Sequence, residues 1–407
     1  MRWMSLVGIA LILSAAVLLS TNRKAISLRI VASAFALQAG IAALVLYVPA
    51  GRRAVLAISH AVEAVIGYSQ AGINMVFGPL ARTEHGISFA VHVLPVVIFF
   101  AALMSILYHL GIMQWVVKLI GGALRWVIGT HTVESLCAAA TIFVGQTESP
   151  LAIRPYLRRL TEPQVFTVMA TGMASVAGTV LAAYAQLGVK LEYLLPAAFM
   201  AAPGGLLMAK LIMPDDPADA REATEDVMLK DDGARHANVI MAAGVGAADG
   251  VKLAVAIAAM LIAFVGLIAL FNGLVGWVGG LFGIEGLTLE KMLGVVFGPL
   301  MYLLSVPWAE AQIAGSFFGE KLILNEFVAY LHFGQIAATL SPRAEAITTF
   351  ALCGFANLSS IAIQMGALGS LVPELREFIA RYGLRAVAAG SLSNLLSAAL
   401  AGLLLDI

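Results

Sequence analysis

Charge is the scarcest commodity in this sequence. Asp, Glu, Lys and Arg together make up 12% of 407 residues, about half the share found in soluble domains. Hydrophobic residues make up 61%. A single aqueous core stops growing near ~250–300 residues, so so much apolar surface excludes a cytosolic enzyme, a secreted domain and a disordered scaffold. An excess of one sign is also missing. The 24 basic residues are matched by 24 acidic ones, which removes the basic surplus that nucleic-acid binding requires. Cysteine is nearly absent. Cys137 and Cys353 stand far apart in apolar runs and form neither a CxxC pair nor a metal-ligand cluster, so both read as small buried residues. The first apolar stretch reads as a retained helix rather than a cleavable leader. The apolar stretch from Met4 to Ser20 is followed by Arg23, Lys24 and Arg29, whereas a signal peptide begins basic and ends in a cleavage site.

What the chain does have is long apolar runs. A membrane-spanning helix needs about 20 apolar residues. Candidates lie near 4–20, 30–48, 92–111, 164–188, 191–212, 250–272, 344–369 and 385–405, which predicts an all-α polytopic protein with eight crossings. The basic residues after the first run set its end in the cytoplasm and both termini outside. Arg158, Arg159, Arg376 and Arg381 then fall inside, whereas Arg52 and Arg53 fall outside against the trend.

Residues 131–160 and 307–341 are apolar but interrupted. The first breaks at Gly145-Gln146-Thr147-Glu148-Ser149-Pro150 and the second at Asn325-Glu326. Each arm is too short to span, so each region reads as a re-entrant hairpin with a polar tip, a geometry tolerated only where backbone is buried in protein or lines a wet cavity. The two regions correspond. Each follows a Trp- and Gly-containing segment (Trp115 to Trp126; Trp277 to Gly283), starts near an acid (Glu134; Glu310) and carries a tip Glu. Each is followed by a Pro, Pro163 or Pro342, 15 or 16 residues beyond that Glu. A helix broken by small and polar residues comes next, at 174–179 or 354–360. Opposite entry sides make this an inverted-topology repeat, the architecture of secondary transporters, with the site near midplane at broken helices. The organisation expected is residues 1–90 as N-terminal helices and an interfacial segment on the scaffold side, 91–212 as the first repeat, 213–249 as an acidic cytoplasmic linker without chemistry, and 250–407 as the second repeat.

Glu148 and Glu326 are the first candidates for function, because a carboxylate at membrane depth costs ~2.5–3.5 kcal/mol or more. Ser149-Pro150 reads as an N-cap and first-turn Pro, which puts Thr147 and Glu148 beside a half-helix N-terminus. Gln146, Thr147, Asn357, Ser359 and Ser360 add neutral donors and acceptors. This set suits a neutral ligand rich in OH and NH groups. Arg154 and Arg343 are expected to cap helix ends or to pair with acids such as Glu162 and Glu345. His332 reads as an interface residue ahead of a proton relay. Thr141 and Val144, at the end of the first arm, are placed to meet Ser175 and Val176 around a cation, since unwound carbonyls bind Na⁺ in such folds.

Gly145-Gln146-Thr147-Glu148, Lys321 followed by Asn325-Glu326-Phe327-Val328-Ala329, and Phe355-Ala356-Asn357-Leu358-Ser359-Ser360 resemble the motifs of the concentrative nucleoside transporter family, in its short bacterial form and over essentially the whole chain. The resemblance implies a homotrimer in the bacterial inner membrane. It implies a transport domain moving as an elevator against a scaffold, and Na⁺ or H⁺ symport of nucleosides such as uridine, with no other cofactor. It assigns Gln146, Thr147, Glu148 and Val180 to the nucleobase, Glu326, Asn357 and Ser360 to the ribose, and Phe355 to an aromatic near the ribose. It assigns Thr141, Val144, Ser175 and Val176 to Na⁺, with Thr141 standing where many members have Asn.

Three rivals make different demands. A hairpin elevator for dicarboxylates or amino acids needs a cationic group at a tip or break. An intramembrane hydrolase would use Glu148 and Glu326 as an acid–base pair and would need no repeat. A passive channel would not concentrate its solute.

Overall fold

The computed structural model describes residues 2–82, 88–216 and 236–405. Among them every regular element is helical, the arrangement in which each backbone group is satisfied without water. The chain opens with α1 (Arg2–Leu18), α2 (Leu28–Ala42) and the long α3 (Pro49–Phe77). Then the same order of seven helical pieces occurs twice. The first series is α4 (Leu94–His109), α5 (Ile112–Ile128), α6 (Thr132–Ala140), a 3-10 arm (Ser149–Arg159), α7 (Glu162–Ala174), α8 (Gly178–Gln186) and α9 (Leu191–Ile212). The second is α10 (Val239–Leu281), α11 (Leu289–Leu303), α12 (Trp308–Ile323), α13 (Glu326–Ile336), α14 (Pro342–Leu352), α15 (Ser359–Leu371) and α16 (Leu375–Leu404).

Among the described residues six helices are long and apolar enough to cross a membrane, or seven if α11 and α12, bent by 117°, count as one. The stretch expected near 344–369 is split into α14 and α15, and α1, with 17 residues, is shorter than those six. The core lies around α7, α8, α9 and α16. The span from α7 to α8 and that of α9 are each 89% buried, whereas α10 is 22% buried and shows its apolar side chains to the surroundings.

Three local readings are corrected. The Trp277–Gly283 segment is not the counterpart of the Trp115–Trp126 segment. It ends α10, and α11 takes that place. Gly283 and Gly286 adopt positive φ (74° and 63°) and turn the chain, and the Thr288 hydroxyl then accepts the Lys291 N–H at 3.3 Å to start α11. Charged Glu290 and Lys291 and the internal Pro299 had masked that helix. Second, α10 begins at Val239, ahead of the expected 250, because the Asn238 side chain caps it by accepting the Met241 N–H. Third, Ser149 does not cap the second arm of the first hairpin. With Pro150 and Pro155 each lacking an N–H, the arm winds as a 3-10 helix.

The acidic linker is engaged at its described end. Lys210, buried on α9, bonds Glu134 at 2.6 Å and Asp215 at 2.5 Å. The linker acids Asp219, Glu222, Glu225, Asp226, Asp231 and Asp232 lie outside the described residues. At the second hairpin Glu310 accepts both the N–H and the hydroxyl of Ser341 (2.7 and 2.6 Å), which closes the base of the hairpin. Arg343 caps the end of α16 as expected, donating to the carbonyls of Gly402 and Leu405 and to that of Ser305. Glu345 is held by Lys190 at 2.7 Å, and that hydrogen bond pushes the Lys190 pKa above its ordinary value.

Candidate functional site

Four breaks in helical structure converge. The tip between α6 and the 3-10 arm, the α7–α8 break at 175–177, the tip between α12 and α13, and the α14–α15 break at 353–358 are joined by hydrogen bonds. The Phe143 carbonyl accepts the Gly178 N–H at 3.0 Å, and the Ser175 carbonyl accepts the Phe355 N–H at 3.0 Å. The tip glycine Gly145 is packed closely: a Cβ there would stand 3.6 Å from the Ala177 Cβ and 3.8 Å from the Phe355 ring. These contacts are possible because broken helices leave backbone groups unpaired at their ends, and those groups find partners at another break, in the same half for Gly178 and in the opposite half for Phe355.

A polar chain runs through the convergence. Gln146, on the first tip, donates to the Ser360 hydroxyl at 3.0 Å. The Ser360 N–H and the Ser359 hydroxyl both bond the Asn357 side-chain oxygen, at 2.9 and 2.7 Å. Asn357 Nδ2 donates to Glu326 Oε2 at 3.3 Å, and the Tyr184 hydroxyl donates to Glu326 Oε1 at 3.0 Å. Residues assigned to the base and to the ribose from separate motifs are therefore contiguous. Gln146, Glu326, Asn357 and Ser360 are all buried, and Phe355 is half-buried.

The second carboxylate behaves differently. Glu148 and Thr147 are exposed at the tip. Glu148 accepts the Gly145 N–H at 3.1 Å, a bond that shapes the tip, and its side chain does not cap its own helix. Val180 is buried in the first turn of α8. Ser359 bonds Asn357 and not its own helix, and His332 bonds Glu320 across the two arms of the second hairpin at 2.8 Å.

Thr141 and Val144 lie where α6 ends, and Ser175 and Val176 where α7 ends. The Gly178–Phe143 bond brings the two ends together. The donors are neutral hydroxyl and carbonyl oxygens, which suit a hard monovalent cation. The Thr141 hydroxyl donates to the Ala138 carbonyl at 2.7 Å, so its lone pairs remain available to accept a charge. His131, Glu134 and Asp215 also gather within 4.8 Å. There the Lys210 ammonium already bonds both carboxylates, and the group is an ion-pair cluster.

Sequence reasoning missed Tyr184, Gln364 and Asn394. Gln364 donates to Gln146 Oε1 at 3.2 Å and to the Met169 carbonyl at 3.0 Å, which holds the Gln146 amide in place. Tyr184 and Gln364 each lie four residues beyond an expected site residue, Val180 and Ser360. That is one helical turn on the same face, so extending each motif by one turn would have found them. Gln364→Ala is expected to weaken ligand binding by roughly 2- to 10-fold, the effect of one neutral hydrogen bond. Unchanged affinity in equilibrium binding would remove Gln364 from the site.

Family models match nearly end to end. One described as Na⁺ dependent nucleoside transporter N-terminus covers residues 7–80, one described as nucleoside recognition covers 90–190, and one described as Na⁺ dependent nucleoside transporter C-terminus covers 193–402. The nucleoside permease NupC of Helicobacter pylori is 46% identical over 99% of this chain and 98% of its own. Sodium/nucleoside cotransporter 1 of Mus musculus is 36% identical over 95% of this chain and 61% of its own. The structure of CNTnw in an inward-facing substrate-bound state superposes with a TM-score of 0.94 at 49% identity, covering 99% of this chain and 98% of that one.

Proposed function

The chain belongs to the concentrative nucleoside transporter family, and on that premise we propose that it imports nucleosides by cation symport across a bacterial inner membrane. The observation that carries this reading is the hydrogen-bond chain from Gln146 through Ser360 and Asn357 to Glu326. It runs from the first tip to the second and matches a ligand with an amide-like base and a diol sugar. Gln146, Thr147, Glu148 and Val180 contact the base. Glu326, Asn357 and Ser360 bind the ribose, with Phe355 beside it. Arginine and free lysine side chains are absent from the described lining, which disfavours a dicarboxylate cargo.

In this reading the protomer has eight crossings and two re-entrant hairpins in an inverted repeat. It assembles as a homotrimer, and the domain holding both tips moves as an elevator. Alternating access follows from the repeat, because two similar halves of opposite orientation give two similar states. Na⁺ is the cation that the oxygen set at Thr141, Val144, Ser175 and Val176 fits, and its charge is attracted by the C-terminal ends of α6 and α7.

The test is radiolabelled uridine uptake into proteoliposomes under an imposed Na⁺ or H⁺ gradient. Uphill accumulation with Na⁺ is expected. Accumulation with H⁺ alone would discard the Na⁺ site, and no nucleoside accumulation under either gradient would overturn the function. Thr141→Ala is expected to raise the Na⁺ concentration for half-maximal uptake by roughly 5- to 20-fold, the loss of one oxygen ligand to a charge. An unchanged Na⁺ dependence would remove Thr141 from the ligand set.

A further inference from the structure

The two series place different chemistry at corresponding points. Their tip glutamates, Glu148 and Glu326, set the register. The same offset carries Ser175, where α7 ends, onto Cys353, where α14 ends. It carries the cation set Thr141, Val144, Ser175 and Val176 onto Gly319, Leu322, Cys353 and Gly354. None of these four has a side-chain oxygen. The electrostatic demand is nevertheless alike, because α14 also stops at a buried break, with carbonyls that lack helical partners and carry the negative end of a helix dipole.

In the second series a covalently attached cation meets that demand. Lys321, in the last turn of α12, is fully buried. Its ammonium donates to the Ala351 carbonyl at the end of α14 at 2.9 Å and to Asn394 Oδ1 at 2.6 Å. Asn394, on α16, turns its Nδ2 to the carbonyls of both broken helices, Ala174 at 2.7 Å and Cys353 at 2.8 Å. One ammonium and one amide thus hold the ends of α7 and α14 together. The hydrogen-bond acceptors of Lys321 are amide oxygens, one of them at the end of α14, and the Glu326 carboxylate acts on its charge only through space.

We propose that Lys321 is a tethered cation that takes, in the second series, the place the coupling ion takes in the first, so that one of the two corresponding sites binds a free ion. It is a positioning residue: it sets the α14–α15 break, and through it Asn357 and Ser360. The proposal rests on the cation reading of the Thr141–Val176 site. It accounts for a lysine in the middle of an apolar hairpin, where an unneeded charge would be costly.

The experiment is equilibrium binding of uridine and of radiolabelled Na⁺ to the purified full-length protein, with choline as the replacement cation. The wild type is expected to bind one Na⁺ per uridine. Lys321→Ala is expected to lose uridine affinity by at least about tenfold in fixed Na⁺. Ethylammonium should restore part of that affinity, or Na⁺ dependence should steepen from one ion towards two. Lys321→Arg should keep the single-ion dependence. A folded Lys321→Ala protein, by its melting curve, with unchanged cation dependence and no response to ethylammonium would overturn the proposal. Two Na⁺ per uridine in the wild type would overturn it even if the alanine variant does not fold. A wild type that binds uridine without regard to Na⁺ defeats the first-series site and this proposal with it. A wild type that binds no nucleoside in any cation defeats the proposed function itself.

Discussion

Glu326→Gln is expected to weaken uridine binding by roughly 10- to 150-fold, the loss of one hydrogen bond to a charged acceptor at about 1.5–3 kcal/mol. A carboxylate offers about four lone-pair positions. Two of them are filled in the fold, by the Tyr184 hydroxyl at 3.0 Å and Asn357 Nδ2 at 3.3 Å, and the remaining capacity is what a ribose diol can use. Gln changes both sides of this arrangement. Its NH₂ must face either Asn357 Nδ2, where a donor meets a donor, or the Tyr184 hydroxyl, which must then turn from donor to acceptor, and one acceptor position for the sugar disappears. Tyr184 also stacks its ring near Tyr330 and Phe327, at centroid distances of 4.3 and 5.4 Å, so it has little freedom to turn away. Calorimetric titration of uridine into the purified variant measures the effect. Near-normal affinity would place the sugar elsewhere.

Lys210→Met is expected to destabilise the fold by about 3–5 kcal/mol, the usual result of removing one partner from a buried ion pair. Lys210 is 2% exposed and Glu134 is 0% exposed, so the variant would leave a carboxylate with no cation and no water. Glu134 also accepts the His131 N–H at 3.2 Å, and α6 starts there. Its loss would loosen the base of the first hairpin from α9. The double variant Lys210→Met with Glu134→Gln is expected to recover most of the loss, because it removes the stranded charge. Thermal unfolding of the detergent-solubilised proteins separates the cases. A single variant that melts like the wild type would show that Glu134 is not left stranded, and would remove the clamp from the account.

Glu148 and Glu326 stand in different surroundings. Glu148 and Glu326 look equivalent in sequence, each a carboxylate at an interrupted apolar run. In the structure Glu326 is buried within a bonded chain, whereas Glu148 is exposed at the tip and bonds the backbone of its own turn. The difference arises because Asn325 caps α13 through the Val328 N–H at 2.9 Å and sets Glu326 at the first position of a regular helix. Pro150 and Pro155 deny the first tip such a helix.

Sequence alone determined the solvent, the helical class, the two interrupted regions and the motifs that identify the family. Each of these follows from local properties: apolar run length, charge scarcity, Pro and Gly positions, and short residue strings. Tertiary structure decided which polar groups meet. Gln146 and Ser360 are 214 residues apart, and Asn394 and Ala174 are 220 apart, so no periodicity within one segment can connect them. It also decided that Lys210 and Glu134 neutralise each other and that Lys321 reaches the end of α14. The physical reason is common to these contacts. A buried polar group must find a partner, and its partner is set by which helices pack together, which local sequence does not encode.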